Sequence, residues 1–235
     1  MTETIQQAMP LANALPEERA VFIRKTYLHL AGAVAAFVVL EYLLLTSAFA
    51  EALMQFISSS RYMWLMILGG FMAAGWLART MIAGAKTRSM QYAGLAVFIV
   101  AEAIIFIPLI YIAVYYSSPE VLPNAVLITA MLFAGLTVYA LTTRKDFSFL
   151  GGILTIGGFV AIGLIVAGVL FGFNLGLVFS GGMVLLASGA ILYDTSKIVR
   201  VYNTEDYVGA SLQLFASVML LFWYILRIVM RMSNR

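Results

Sequence analysis

The chain has 235 residues, 63% hydrophobic and 11% charged, with a mean hydropathy of +0.99. Soluble domains carry about 25% charged residues, so a water-soluble globule of this size is excluded and the composition is that of an integral membrane protein. The absence of cysteine removes disulfides and thiolate chemistry, and the single histidine, His29, removes a Ser-His-Asp triad or a histidine metal cluster. A net charge of +3, spread over short loops, argues against nucleic-acid binding.

Residues 1–25 are polar and include Glu3, Glu17, Glu18, Arg19, Arg24 and Lys25. A signal peptide needs a charged start, an apolar core and a cleavage site in that order. That order is missing, so 1–25 is expected to be retained as a cytoplasmic tail before a transmembrane domain at 26–235. Pro16-Glu17-Glu18 places proline early and acids at the positive end of a helix dipole, the pattern of a first helical turn. A spanning helix needs about 20 mainly apolar residues, and the breaks at charges and turn residues predict seven: 26–47, 62–84, 90–116, 121–142, 149–172, 175–196 and 207–230. Only Phe171-Gly172-Phe173-Asn174 separates the fifth from the sixth, but a run of about 45 residues is too long for one span. The expected fold class is all-α, a polytopic bundle of seven transmembrane helices.

Basic residues set the direction. Nine lie on the N-terminal side (Arg19, Arg24, Lys25, Lys86, Arg88, Arg144, Lys145, Lys197, Arg200) and four on the other (Arg61, Arg227, Arg231, Arg235). The N-terminus is therefore expected in the cytoplasm. The basic C-terminal end runs against this count: either the rule is overridden late in the chain, or the last segment stops short of crossing. The fifth and sixth spans are rich in glycine, with Gly151, Gly152, Gly157, Gly158, Gly163, Gly168, Gly181, Gly182 and Gly189, which predicts close helix packing, and Pro108 predicts a kink in the third.

Four ionisable residues fall within the spans: Glu41, Arg79, Glu102 and Asp194. A charge at mid-membrane costs at least about 2.5–3.5 kcal/mol, so such residues face a partner or water. Arg79 and Asp194 lie near the N-terminal-side ends of two helices running in the same direction, which allows an ion pair. Asp194 could equally snorkel to the headgroups, as could Glu41 at the outer face. Glu102, about fourteen residues into its helix, is near mid-membrane and must be protonated, paired or wet, which makes it a polar-pathway candidate. The last span is charge-free from Tyr207 to Leu226 and carries Ser211, Gln213 and Ser217. Gln213 and Ser217 share one helix face, as inter-helical hydrogen-bonding residues do.

Two stretches, LTTRKDFSFLGGIL at 141–154 and SGAILYDTSKIV at 188–199, resemble the Bax inhibitor-1 (TMBIM) family. The resemblance implies six helices around a central last one. It also implies a pH-sensitive calcium leak governed by aspartates on the sixth and seventh helices, with an arginine of the second helix pairing to them in the closed state. Asp194 matches the sixth-helix aspartate, and Arg79 is a plausible match for the arginine. The position of the second aspartate falls on Ser217, which cannot share a charge-coupled proton as a carboxylate does. One carboxylate is also a poor start for calcium, which takes several oxygen ligands. No resident cofactor is expected, and Asp194 is the one candidate for weak calcium contact.

The arginine-lysine loop looks most like the bacterial branch, which includes a modulator of the FtsH protease, and this resemblance implies a place in a bacterial inner membrane. Two expectations follow. One is an ion leak, of calcium or protons, with Asp194 as gate, Arg79 as latch, Ser217 beside the gate and Glu102 lining the path. The other is a modulator that binds the FtsH protease complex and limits membrane-protein turnover, with the N-terminal tail as handle. Neither is an enzyme, since intramembrane aspartyl proteolysis needs two aspartates on one water and only Asp194 lies in a span. The lipid bilayer is the expected partner, and the oligomeric state stays open.

Overall fold

A computed structural model describes residues 11–85, 87–143 and 145–233. A short 3-10 turn at Leu11–Asn13 precedes eight helices: α1 Pro16–Leu45, α2 Ala48–Ser59, α3 Met63–Ala83, α4 Arg88–Tyr115, α5 Val121–Thr142, α6 Leu150–Phe171, α7 Gly176–Arg200 and α8 Tyr207–Ser233. Seven are long and apolar enough to cross a membrane. The exception is α2, whose 12 residues reach only about 18 Å against a hydrocarbon core of about 30 Å.

The seven spans agree with the expectation to within a few residues, apart from their ends. α1 begins at Pro16 rather than at 26, because the proline opens its first turn and Glu18 Oε2 accepts the Leu15 N–H at 2.9 Å. The segment after α1 re-forms a helix because Ser47 Oγ accepts the Phe49 N–H at 3.3 Å. α7 continues through Lys197 to Arg200, so those cations belong to the helix end and not to a loop. α6 turns into α7 through Gly172 at φ 75° and Gly176 at φ 71°, a backbone region that L side chains rarely adopt.

α8 stands at the centre and touches α1, α3, α4, α5 and α7. About half of the spanning stretch of α4 and of α8 is buried, 56% for each, against 11–22% for the other five, so these two helices form the interior. Aromatic rings fill the space between them and α1. Phe37 meets Phe106 at 5.2 Å and Phe215 at 6.3 Å, and Phe106 stacks on Phe222 at 5.7 Å. α6 lies outermost against α7, its Ala161 meeting Met183 and Tyr224.

The last helix crosses completely. Arg88, the first residue of α4, bonds the carboxylate and the carbonyl of Glu205 just before α8 begins. At the other end Ser233 Oγ lies 2.8 Å from Ser118 Oγ in the turn after α4. α8 therefore spans the same depth as α4, which removes the alternative that the last segment stops short.

The glycine expectation needs correction. A Cβ at Gly152, Gly158, Gly163, Gly181 or Gly182 would meet no heavy atom within 4 Å, so these glycines lie on open faces. Close packing holds at Gly157, where a Cβ would come within 2.3 Å of Leu186 Cδ1, and at Gly151, 3.2 Å from the Tyr193 ring. The tightest backbone approach lies elsewhere: a Cβ at Gly94 of α4 would stand 2.8 Å from the Ala78 carbonyl oxygen of α3.

Candidate functional site

Asp194 lies six residues before the end of α7 and is 2% exposed. It faces inward to the central helix, so it does not snorkel. Ser217 of α8, also buried, donates its hydroxyl hydrogen to Asp194 Oδ2 across 2.6 Å, within the range of a charge-assisted O–H···O⁻ bond. Lys197, one turn on, extends its ammonium over the rings of Tyr193 and Tyr202 at 5.2 and 5.6 Å.

The Arg79–Asp194 ion pair is not formed. Arg79 lies on an exposed face of α3, with its guanidinium 5.9 Å from the centre of the Phe98 ring of α4. The reason is geometric: α3 packs chiefly on α4, so Arg79 acts on the aspartate only through space, as Lys197 does, and a serine of the central helix makes the direct contact.

Glu102 is buried in α4, four residues after Phe98 and four before Phe106. Both of these rings meet α8, Phe98 at Phe215 and Phe106 at Phe222. Glu102 therefore lies on the stripe of α4 turned toward that face of α8. Ser217 is two residues from Phe215, which is about 200° around the helix, and it turns to α7. Asp194 and Ser217 are thus brought together, while Glu102 is kept on another side of α8. Glu41 does not snorkel either: it is 4% exposed and both carboxylate oxygens lack a hydrogen-bond partner.

The two distinctive stretches of sequence meet one another beside Asp194. In the loop between α5 and α6, the Phe147 N–H donates to Ser196 Oγ at 3.4 Å, and Arg200 Nη2 donates to the Lys145 carbonyl at 2.9 Å. Gly151 passes close to Tyr193, one residue from the acid. Asp146 is held by the Ser148 N–H at 2.9 Å, and that bond holds its carboxyl below the usual carboxylate range, with Arg200 adding to the effect. On the N-terminal side the 3-10 turn folds under the site. Leu11 is 1% exposed, and its N–H donates to the Tyr202 carbonyl at 3.0 Å. Burial pushes the Tyr202 phenol up, and the charge of Asp194 adds to this.

The residues at Asp194 do not form a calcium cage. They supply one carboxylate and one hydroxyl, whereas calcium takes 6–8 oxygens. Among the described residues no three of His, Cys, Asp and Glu converge.

The family model described as inhibitor of apoptosis-promoting Bax1 matches residues 19–235. The chain belongs to this Bax inhibitor family. It is 39% identical over 102 residues to the modulator of FtsH protease YccA of Escherichia coli, covering 43% of this chain and 46% of that protein. Over 110 residues it is 41% identical to a Pseudomonas aeruginosa protein, covering 46% and 49%. Over 127 residues it is 32% identical to Bax inhibitor 1 of Schizosaccharomyces pombe, covering 52% and 47%. The chain spans about half the length of the curated relatives it matches.

In this Bax inhibitor family member the polar surroundings of the acid extend beyond the residues that the sequence singled out. Thr195, next to Asp194, is fully buried. Its hydroxyl and those of Tyr27 and Thr137 lack a hydrogen-bond partner, although Thr195 and Thr137 both stand beside Tyr27. They come from α7, α1 and α5, three helices distant in sequence, so only the packing groups them. Thr195 carried one local signal, its place directly after the acid.

Proposed function

We propose that this protein is a pH-sensitive ion leak of the bacterial inner membrane, with its N-terminus in the cytoplasm and Asp194 as gate. The observation that supports this reading is the buried Asp194–Ser217 bond, a carboxylate held to the central helix by a neutral donor. A hydrogen bond to a charged group contributes about 1.5–3 kcal/mol and a neutral one about 0.5–1.5. Protonating Asp194 therefore weakens the tie between α7 and α8, and flux rises as pH falls. Thr195, next to Asp194 in sequence, and the hydroxyls of Tyr27 and Thr137 grouped with it add buried polar groups to the same part of the bundle. Arg79, which makes no ion pair among the described residues, acts as latch if α3 turns it toward Asp194, and Glu102 lines the far side of α8. The sparse donor set at Asp194 favours the proton over calcium as the permeant.

The test is flux through proteoliposomes carrying pH- and calcium-sensitive dyes, between about pH 5 and 8. Wild type is expected to leak more at the acid end and Asp194→Asn to lose the pH dependence. Vesicles that stay tight across that range would sink the reading.

A second reading rests on the identity with a named FtsH modulator: the protein binds the FtsH protease complex and slows membrane-protein turnover. The docked 3-10 turn buries Leu11 and Ala14 but leaves Leu15 65% exposed, so the tail keeps accessible surface at the start of α1, and residues 1–10 lie outside the described residues. Co-purification from native membranes, with substrate half-lives in a deletion strain, tests this. No complex and unchanged half-lives refute it.

A further inference from the structure

A groove of about 320 Å³ runs between α1 and α4, lined by Leu28, His29, Gly32, Ala33, Leu95 and Ile99. Its inner wall is apolar, and it opens on the flank of the bundle, where Leu28 is 63% exposed. Its polar end lies toward the N-terminal side. There His29 Nδ1 is 2.7 Å from the Lys25 carbonyl, so it carries the hydrogen, and Nε2 accepts from the Tyr92 hydroxyl at 2.9 Å.

Three cations stand one turn beyond that end. Arg24 and Lys25 precede Leu28 and His29 by four residues, and Arg88 precedes Tyr92 by four, so each shares a helix face with a groove or rim residue. Lys25 and Arg88 both sit over the Tyr207 ring, at 5.0 and 4.5 Å. Among the described residues the one carboxylate paired to any of the three is Glu205, on Arg88. The cluster therefore keeps an excess of positive charge at headgroup level, directly above an apolar channel at hydrocarbon level.

We propose that this groove binds an anionic phospholipid of the leaflet on the N-terminal side, its phosphate at Arg24, Lys25 and Arg88 and an acyl chain over Gly32 and Ala33. The charge pattern selects a lipid over a second apolar helix, because such a helix would leave the cations at the mouth unmatched. Basic pockets between spanning helices bind anionic headgroups in this way. Gly32 is the discriminating position, since a Cβ there meets nothing within 4 Å. A larger side chain fills the groove without displacing the fold.

The test is native mass spectrometry of the full chain in detergent, titrated with dioleoyl phosphatidylglycerol or dioleoyl phosphatidylcholine. Wild type is expected to retain the anionic lipid preferentially. Each of Arg24→Gln and Lys25→Gln reduces that preference about fivefold, from ~1 kcal/mol per basic residue. Gly32→Leu lowers retention of both lipids alike, with an unchanged melting temperature. A photoreactive acyl chain on phosphatidylglycerol, added to unmutated protein, should cross-link within 28–33 or 95–99. The proposal is overturned by equal retention of the two lipids, by a preference that survives both glutamine substitutions, or by cross-links confined to other helices. Displacement of the lipid by millimolar glycerol phosphate also overturns it, because the site would then read a soluble anion.

Discussion

Removing the hydroxyl of Ser217 tests the link between the central helix and its acid. Ser217→Ala deletes one oxygen from a site 5% exposed and leaves Asp194 Oδ2 without the donor it has at 2.6 Å. Neither Arg79 nor Lys197 makes an ion pair with Asp194; both act on its charge only through space, with their cationic groups over aromatic rings. The volume change is small, so the cost is that of an unmade hydrogen bond to a buried charge, about 1.5–3 kcal/mol. That corresponds to a roughly tenfold to hundredfold larger unfolding constant. The assay is a double-mutant cycle with Asp194→Ala, measuring unfolding free energies in detergent at neutral pH. A coupling of about 1.5–3 kcal/mol is expected for residues sharing one bond. Coupling below about 0.5 kcal/mol, the level of independent sites, would refute the claim that Ser217 holds Asp194.

Leu11→Glu places a charge where Leu11 is 1% exposed under Tyr202; undocking of the 3-10 turn should raise proteoliposome flux at neutral pH, and unchanged flux would show that this turn seals nothing. Gly94→Ala forces a Cβ to 2.8 Å from the Ala78 carbonyl and should cost about 1–3 kcal/mol. Gly152→Ala, on an open face, should leave the melting temperature unchanged or raise it, and equal losses for the two would contradict the packing. Asp146 is exposed and its carboxyl is lowered by the Ser148 N–H. A lowered carboxyl stabilises the fold above the usual carboxylate range and loses that effect as pH falls through its own value. The melting difference between wild type and Asp146→Asn should thus shrink as pH falls below the usual aspartate range, and a difference that grows on acidification would contradict this sign.

Much of the bundle was legible because lipid imposes a coarse rule: backbone groups must be satisfied within each helix. Long apolar runs ended by Arg61, Lys86-Thr87-Arg88 and Arg144-Lys145-Asp146 therefore marked spans within a few residues. α2 was not legible as a helix, because 12 residues between two spans show no span-length signal. The side each glycine faces was hidden too, since Gly152 and Gly157 lie in one helix and differ only in what neighbours them. Ser217 was found by the gap it leaves in a family pattern, and its partner could only be named once α7 and α8 were packed.

The sequence alone determined the membrane, the number of crossings and which acids lie within them, because hydropathy and charge are properties of single residues and short runs. The tertiary structure decided which of those acids meet. By sequence Glu102 and Asp194 differ only in depth, one near mid-membrane and the other near a helix end. They part because Ser217 and Phe215, two positions apart on α8, point about 200° away from each other. That rotation gives Asp194 a hydroxyl and places Glu102 on the aromatic side of the same helix, while α3 keeps Arg79 over Phe98 instead of at the acid.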